Sequence, residues 1–172
     1  QKAENIYFGK PSGLMDQTAS SVGDTVAIDF ANPEAPVVRP IEANLEGLGL
    51  ALCIIDCGAD HAALTGEYAS IPQEMCQVAA YFGKKVLREV NEADVLANLP
   101  ALRQKVGDRA VLRALHFYAD DQRAVEEADA LASGEKEIFL NLVKESGRSS
   151  WELLQNITPA AAVAHQDMAI AL

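Results

Sequence analysis

The sequence predicts an α+β chain on three observations: an alternating strand pattern near its start, a continuous apolar run at residues 50–55, and a succession of helical periodicities from Gly58 onward. Ahead of the strands, Ser12 or Gly13 marks the start of a short helix, with Pro11 at a position where a missing N–H costs nothing. Residues 24–30, DTVAIDF, place Val26, Ile28 and Phe30 on one face, the period of a strand with one wet side. A second strand is expected at 37–41, after the turn residues Asn32-Pro33-Glu34-Ala35-Pro36. The run Leu50-Ala51-Leu52-Cys53-Ile54-Ile55 is apolar at every position, which predicts a third strand buried on both faces.

Beyond Gly58 the period lengthens. Tyr68, Ile71, Met75, Val78 and Phe82 recur every three or four residues until Gly83 and predict one amphipathic helix. Val111, Leu112, Leu115, Val125 and Leu131 mark a long helix ending at Ser133-Gly134. Ile138, Phe139, Leu142 and Val143 mark another that stops near Gly147, and Trp151, Leu153 and Leu154 add a last apolar turn before Thr158-Pro159. Residues 91–107, with Pro100 among them, read as a surface connection.

Fourteen basic residues against twenty-five acidic ones give a net charge of −11, which repels nucleic acid and anionic membrane surfaces. No apolar run reaches the ~20 residues that span a bilayer, so no membrane partner is expected. Cys53, Cys57 and Cys76 are odd in number and lie in apolar or amphipathic stretches, which predicts buried free thiols and a reducing, cytoplasmic setting. The chain opens at Gln1 and closes on the apolar run 168–172, and we expect a section of a longer protein.

The chemistry concentrates in FGKPSGLMDQTAS, residues 8–20. Asp16 falls in the first turn of the expected helix, where unpaired N–H groups and the positive end of the dipole favour a carboxylate. Two roles suit an acid there. It stabilises the helix by a few tenths to ~1 kcal/mol, or it accepts a proton from a hydroxyl that attacks a phosphoryl group.

Glu4-Asn5 followed by Phe8-Gly9-Lys10-Pro11-Ser12-Gly13-Leu14-Met15-Asp16-Gln17 resembles the second signature of galactokinases, members of the GHMP kinase superfamily. Ile54-Ile55-Asp56-Cys57-Gly58, His61-Ala62-Ala63-Leu64 and Glu67-Tyr68 are similar to the strand and turn before the family's sugar-contacting tyrosine. Val86-Leu87-Arg88-Glu89-Val90, Arg123-Ala124-Val125 to Gly134, and Lys144-Glu145-Ser146 resemble segments that follow.

The resemblance implies ATP-dependent phosphorylation of the C1 hydroxyl of D-galactose or a related hexose. It implies Asp16 as base or electrostatic partner at that hydroxyl, Gly13 as a backbone contact to the sugar, Tyr68 as a second sugar contact, and Glu4 as a ligand of the Mg²⁺ that bridges the ATP phosphates. His61 reads as a structural polar residue rather than a catalyst. The implied fold is part of a GHMP two-domain arrangement. Residues 1–57 end a domain like the second domain of ribosomal protein S5, and 58–172 begin an incomplete, largely helical, ferredoxin-like domain. Such a pair leaves apolar surface for further chain segments or a homodimer interface to cover.

Ser12 stands where the family usually has Cys, and Ala59-Asp60 replaces a pair that is commonly Gly with a polar partner, which bears on sugar preference. The family's first signature, its phosphate-cradling loop and its third signature are not in these 172 residues, which alone are expected to be nearly inert. A galactokinase-like sugar sensor or interaction module that no longer phosphorylates is the alternative reading.

Overall fold

The computed structural model describes residues 1–9, 12–58, 64–160, 163–164 and 166–172. Lys10 and Pro11 of the motif, the Ala59-Asp60 pair and His61 lie outside them, as does the expected helix-opening role of Pro11. Among the described residues the architecture is α+β and mostly helical, with one small two-stranded sheet. A π-helical turn, Ala3–Tyr7, precedes helix α1, Met15–Val22. Strands β1, Val26–Asp29, and β2, Val37–Pro40, pair antiparallel, with Val26 opposite Pro40 and Asp29 opposite Val37. Helices α2, Thr65–Tyr81; α3, Glu92–Ala97; α4, Leu99–Val106; α5, Asp108–Ala132; α6, Lys136–Ser149; and α7, Asp167–Ala171, follow.

The chain divides into two compact units. Residues 1–53 and 123–144 form the first, and residues 54–122 and 145–172 the second. In the first, Ile41, Ala128 and Leu131 are buried together, with Ala27, Ala43, Leu45, Leu48 and Phe139 packed against them. The strand residue that packs on this cluster is Ala27, which lies between the β-branched pair that the alternation singled out. Arg39 reaches from β2 to Asp129 on α5, Nη1 to Oδ1 2.9 Å, an exposed ion pair of small energetic weight.

The second unit holds the larger core: Val78 and Ala79 of α2, Leu87, Val90, Val95 of α3, Leu102 of α4, and Ala110, Val111 and Ala114 of α5. Pro72 sits in the second turn of α2, and Gly83 ends that helix region at φ 69°, a left-handed conformation that glycine adopts without strain. The hydroxyl of Tyr118 approaches the carbonyls of Leu87 and Val90 at 3.2 and 3.0 Å, fastening the 87–90 turn to α5. Burial first, then the charges of Glu92 and Asp94, push the Tyr118 phenol up to about 12.

Tyr118→Phe is expected to cost about 1 kcal/mol, which at this chain size lowers Tm by about 2–4 °C. The raised pKa means the fold prefers the neutral phenol. Its contribution is therefore complete below pH ~10, where the unfolded phenol titrates, and declines toward pH about 12. Melting curves of Tyr118→Phe beside the unsubstituted chain across that interval test this, because the phenylalanine chain should lack that part of the decline.

Three expectations are corrected. Residues 50–55 form no strand: Leu52 is 89%, Ile54 94% and Ile55 76% exposed. A strand apolar on both faces needs neighbours on both edges and cover on both sides, and the two strands present pair with each other. Cys53, in that run, is therefore exposed rather than buried; Cys76 is exposed on α2 and Cys57 half-buried, although all three are free thiols as expected. Residues 91–107 are no loose connection but α3 and α4, each burying a residue completely, Val95 and Leu102. Pro100 stands in the first turn of α4, where its missing N–H is no loss.

Candidate functional site

Helix α1 begins at Met15 with Leu14 as the preceding residue, so Asp16 lies in its first turn, exposed, as its spacing predicts. Leu14 brings no side-chain cap. The eight residues are too few to be stable by propensity, and local bonds assist them: Thr18 Oγ1 donates to the Leu14 carbonyl at 2.7 Å, and Gly23, at φ 79°, closes the last turn on Ala19.

Three side-chain amides tie this helix, and the Ser12 approach to it, to the turn before. The Asn5 carboxamide pairs with the backbone of Ser12 in both directions: Oδ1 accepts the Ser12 N–H at 2.8 Å and Nδ2 donates to its carbonyl at 3.3 Å. Gln1 Nε2 donates to the same carbonyl at 3.1 Å. The Gln17 carboxamide reaches back from α1, Nε2 to Glu4 Oε2 3.1 Å. Because an ionised carboxylate only accepts, this bond fixes which end of the amide faces Glu4. Gln17 Oε1 is then left buried with no hydrogen-bond partner among the described residues. An unsatisfied buried acceptor costs about 1–3 kcal/mol, so the Gln17 side chain is held there against a penalty.

Glu4 and the helix that carries Asp16 are thus fastened within one unit. Gly13, between Ser12 and α1, is exposed, and a Cβ built on it would meet nothing within 4 Å. Among the described residues, neither strain nor crowding demands glycine there. Tyr68, 51% exposed on the first turns of α2, belongs to the other unit. Asn5 and Gln17 were legible only as letters of the motif, since a carboxamide that bridges two backbone segments leaves no periodicity.

Among the described residues no group of three or more His, Cys, Asp or Glu converges as a metal cage. Glu4 offers one hard carboxylate donor, half-buried. That donor set suits a cation shared with phosphates, which needs one or two protein carboxylates beside phosphate oxygens and water. No helix among the described residues is long and apolar enough to cross a membrane.

Asn5→Ala is expected to release the Ser12 amide. Its hydrogen exchange should rise toward the unprotected rate while the amides of α5 keep theirs, as local opening in this turn does not require opening of the helical core. Exchange read residue by residue by NMR checks this.

No family model matches the chain. Among curated proteins it is 33% identical over 137 residues to a galactokinase of Streptomyces coelicolor, covering 78% of this chain and 34% of the relative. It is 35% identical over 156 residues to a galactokinase of Pasteurella multocida, covering 87% and 38%. With a human galactokinase it shares 32% identity over 152 residues, covering 87% and 36%. The chain therefore spans a little over a third of the length of these relatives.

Proposed function

Since the chain belongs to the galactokinase family, we propose that its residues serve an ATP-dependent sugar kinase that phosphorylates the C1 hydroxyl of D-galactose to galactose 1-phosphate. The observation that carries the reading is the Gln17–Glu4 bond, which fastens one carboxylate to the helix bearing the other. In this reading Asp16 accepts the C1 hydroxyl proton as that oxygen attacks the γ-phosphorus of ATP. The bond from phosphorus to the bridging oxygen breaks, and ADP leaves with the electron pair. Mg²⁺, when bound with ATP, neutralises charge on the phosphates, and Glu4 supplies the protein oxygen that holds it. Most of the acceleration in such a reaction comes from positioning and electrostatics.

Gly13 leaves open space where the sugar approaches the backbone, and Tyr68 offers a ring face and a hydroxyl to the sugar. In domain terms, residues 1–57 close the first domain of a GHMP fold and 58–172 begin its second. A cytoplasmic enzyme with galactose and ATP as its small-molecule partners follows from the same reading.

Gly13→Ala separates the sugar role from a structural one. The substituted chain should keep its Tm, because the added methyl meets open space. In the intact polypeptide that carries these residues, the KM for galactose should rise by at least about tenfold, or ~1.4 kcal/mol. The function itself is tested by the product. Phosphorus–proton correlation NMR of the reaction with ATP and galactose should place the phosphate on C1, and a phosphate on any other hydroxyl refutes the assignment.

A further inference from the structure

The chemistry above leaves Glu67 without a role, although it immediately precedes the tyrosine that the kinase reading brings to the sugar. The helix around that tyrosine is weak on its own. The first turn of a helix holds N–H groups with no helical acceptor, and Leu64, which precedes α2, brings no side-chain cap. Thr65 and Gly66 open the helix, and both rank low as helix formers. Pro72 stands four residues beyond Tyr68 and carries no N–H, so the helix offers the Tyr68 carbonyl no donor from that position.

Residues distant in sequence supply the restraint. The half-buried Glu67 carboxylate accepts the N–H of Ala160, 93 residues away, on Oε1 at 3.1 Å. Pro159, with its fixed φ, stiffens the segment that presents this N–H. Ser70 Oγ donates to the Glu67 carbonyl at 2.7 Å and accepts from Arg113 Nη1 at 2.9 Å. The buried Arg113 donates in turn from Nε to the Leu154 carbonyl. The segment 154–160 is thus bonded at both ends to the turn that carries Tyr68, at Leu154 through Arg113 and Ser70 and at Ala160 through Glu67. All of these residues belong to the second unit.

A ring that contacts a sugar adds most to affinity when it is in place before the ligand arrives, because ordering it on binding is subtracted from the contact. We propose that Glu67 is the positioning residue for the sugar contact at Tyr68: by bonding Ala160 it clasps the 154–160 segment to the opening turn of α2 and holds the tyrosine ready for a hexose. The inference rests on the kinase reading only for the contact between Tyr68 and the sugar.

The test uses the intact polypeptide that carries these residues, with galactose titrated by calorimetry without ATP, so that affinity is read apart from turnover. Glu67→Ala should raise the Kd for galactose by about tenfold. It should also speed hydrogen exchange at Ala160 and at residues 66–69 by at least about tenfold while the amides of α5 keep their rates. Glu67→Gln, whose carboxamide oxygen still accepts the Ala160 N–H, should raise the Kd by no more than about threefold. Ala160→Pro removes the same bond from the other partner and leaves α2 unsubstituted, so it should match Glu67→Ala and stands in for it where that variant fails to fold. In a Tyr68→Ala background neither change should weaken binding by more than about a further twofold, because the clasp then has nothing to position.

The proposal is overturned if Glu67→Ala and Ala160→Pro speed exchange or lower Tm yet leave the Kd unchanged, which makes the clasp structural alone. It is overturned equally if Glu67→Gln loses as much affinity as Glu67→Ala, if the loss persists in full in the Tyr68→Ala background, or if the unsubstituted polypeptide binds no galactose. Galactose-dependent ATP turnover, measured on the same samples, reads the kinase separately. Turnover with a Kd that ignores Glu67 removes the positioning role and leaves the kinase. A Kd that follows Glu67 without turnover keeps the positioning role and removes the kinase.

Discussion

Glu74→Ala is expected to destabilise the second unit by about 3–5 kcal/mol, because it strands a buried positive charge. Arg113 of α5 is 1% exposed. Its Nη1 donates to Glu74 Oε2 at 2.9 Å and to Ser70 Oγ at 2.9 Å, and its Nε donates to the Leu154 carbonyl at 3.0 Å. Arg109 grips the same carboxylate from Nε, at 3.0 and 3.1 Å to its two oxygens. Burial lowers the Arg113 guanidinium from its ordinary pKa while the Glu74 charge opposes that shift, so the acid is what makes the buried cation tolerable.

One carboxylate thus serves two arginines and joins α2 to α5, while Arg113 carries the connection on to the 150–154 turn. Glu74→Ala should lower Tm by about 6–20 °C. Glu74→Gln, which keeps an acceptor, should cost less, and Arg113→Met should also cost less, since it removes the charge together with its burial penalty. Fluorescence of Trp151, the single tryptophan and a neighbour of Leu154 in sequence, follows the transition. Equal stability of Glu74→Ala and the unsubstituted chain would contradict the network's role.

Asp16→Asn is expected to reduce kcat of the intact polypeptide by about 10²–10⁴-fold, the usual contribution of a positioned proton acceptor. The KM for galactose should stay within about threefold, since asparagine keeps the shape and the hydrogen-bonding reach. The same substitution separates the two roles that the sequence leaves open for this acid. As a helix-terminal charge it contributes about 0.3–1 kcal/mol, which moves Tm by a few degrees and kcat not at all. A large fall in kcat with a nearly unchanged melting curve assigns proton transfer. A small fall in Tm alone assigns dipole stabilisation.

Elements with a local signal were legible in the sequence. The hairpin showed in the alternation of Val26 and Ile28 and the Asn32–Pro36 turn, α2 in its three- and four-residue steps, and α5 and α6 in their apolar residues and the Gly134 and Gly147 stops. Residues whose fate depends on distant partners were not. The run 50–55 carries strand chemistry, yet a strand is a property of a sheet, and among the described residues no strand pairs with it. Helices α3 and α4 were hidden by Pro100 and by their shortness, for one buried residue each, Val95 and Leu102, makes too short a pattern to register a period.

At the site, the first-turn position of Asp16 followed from the motif. The amide ties of Asn5 to Ser12 and Gln17 to Glu4 did not, because they connect residues 7 and 13 apart through side chains whose type admits many partners. Arg113 was equally silent in sequence, a lone cation between Leu112 and Ala114 whose burial only the tertiary structure reveals.

Galactose-dependent release of ADP from ATP by the intact polypeptide tests the central claim most directly. The account predicts ADP and galactose 1-phosphate in equal amounts, with no ADP when galactose is withheld. Galactose binding without any ADP release would contradict it and would mark a sugar sensor built on the same residues.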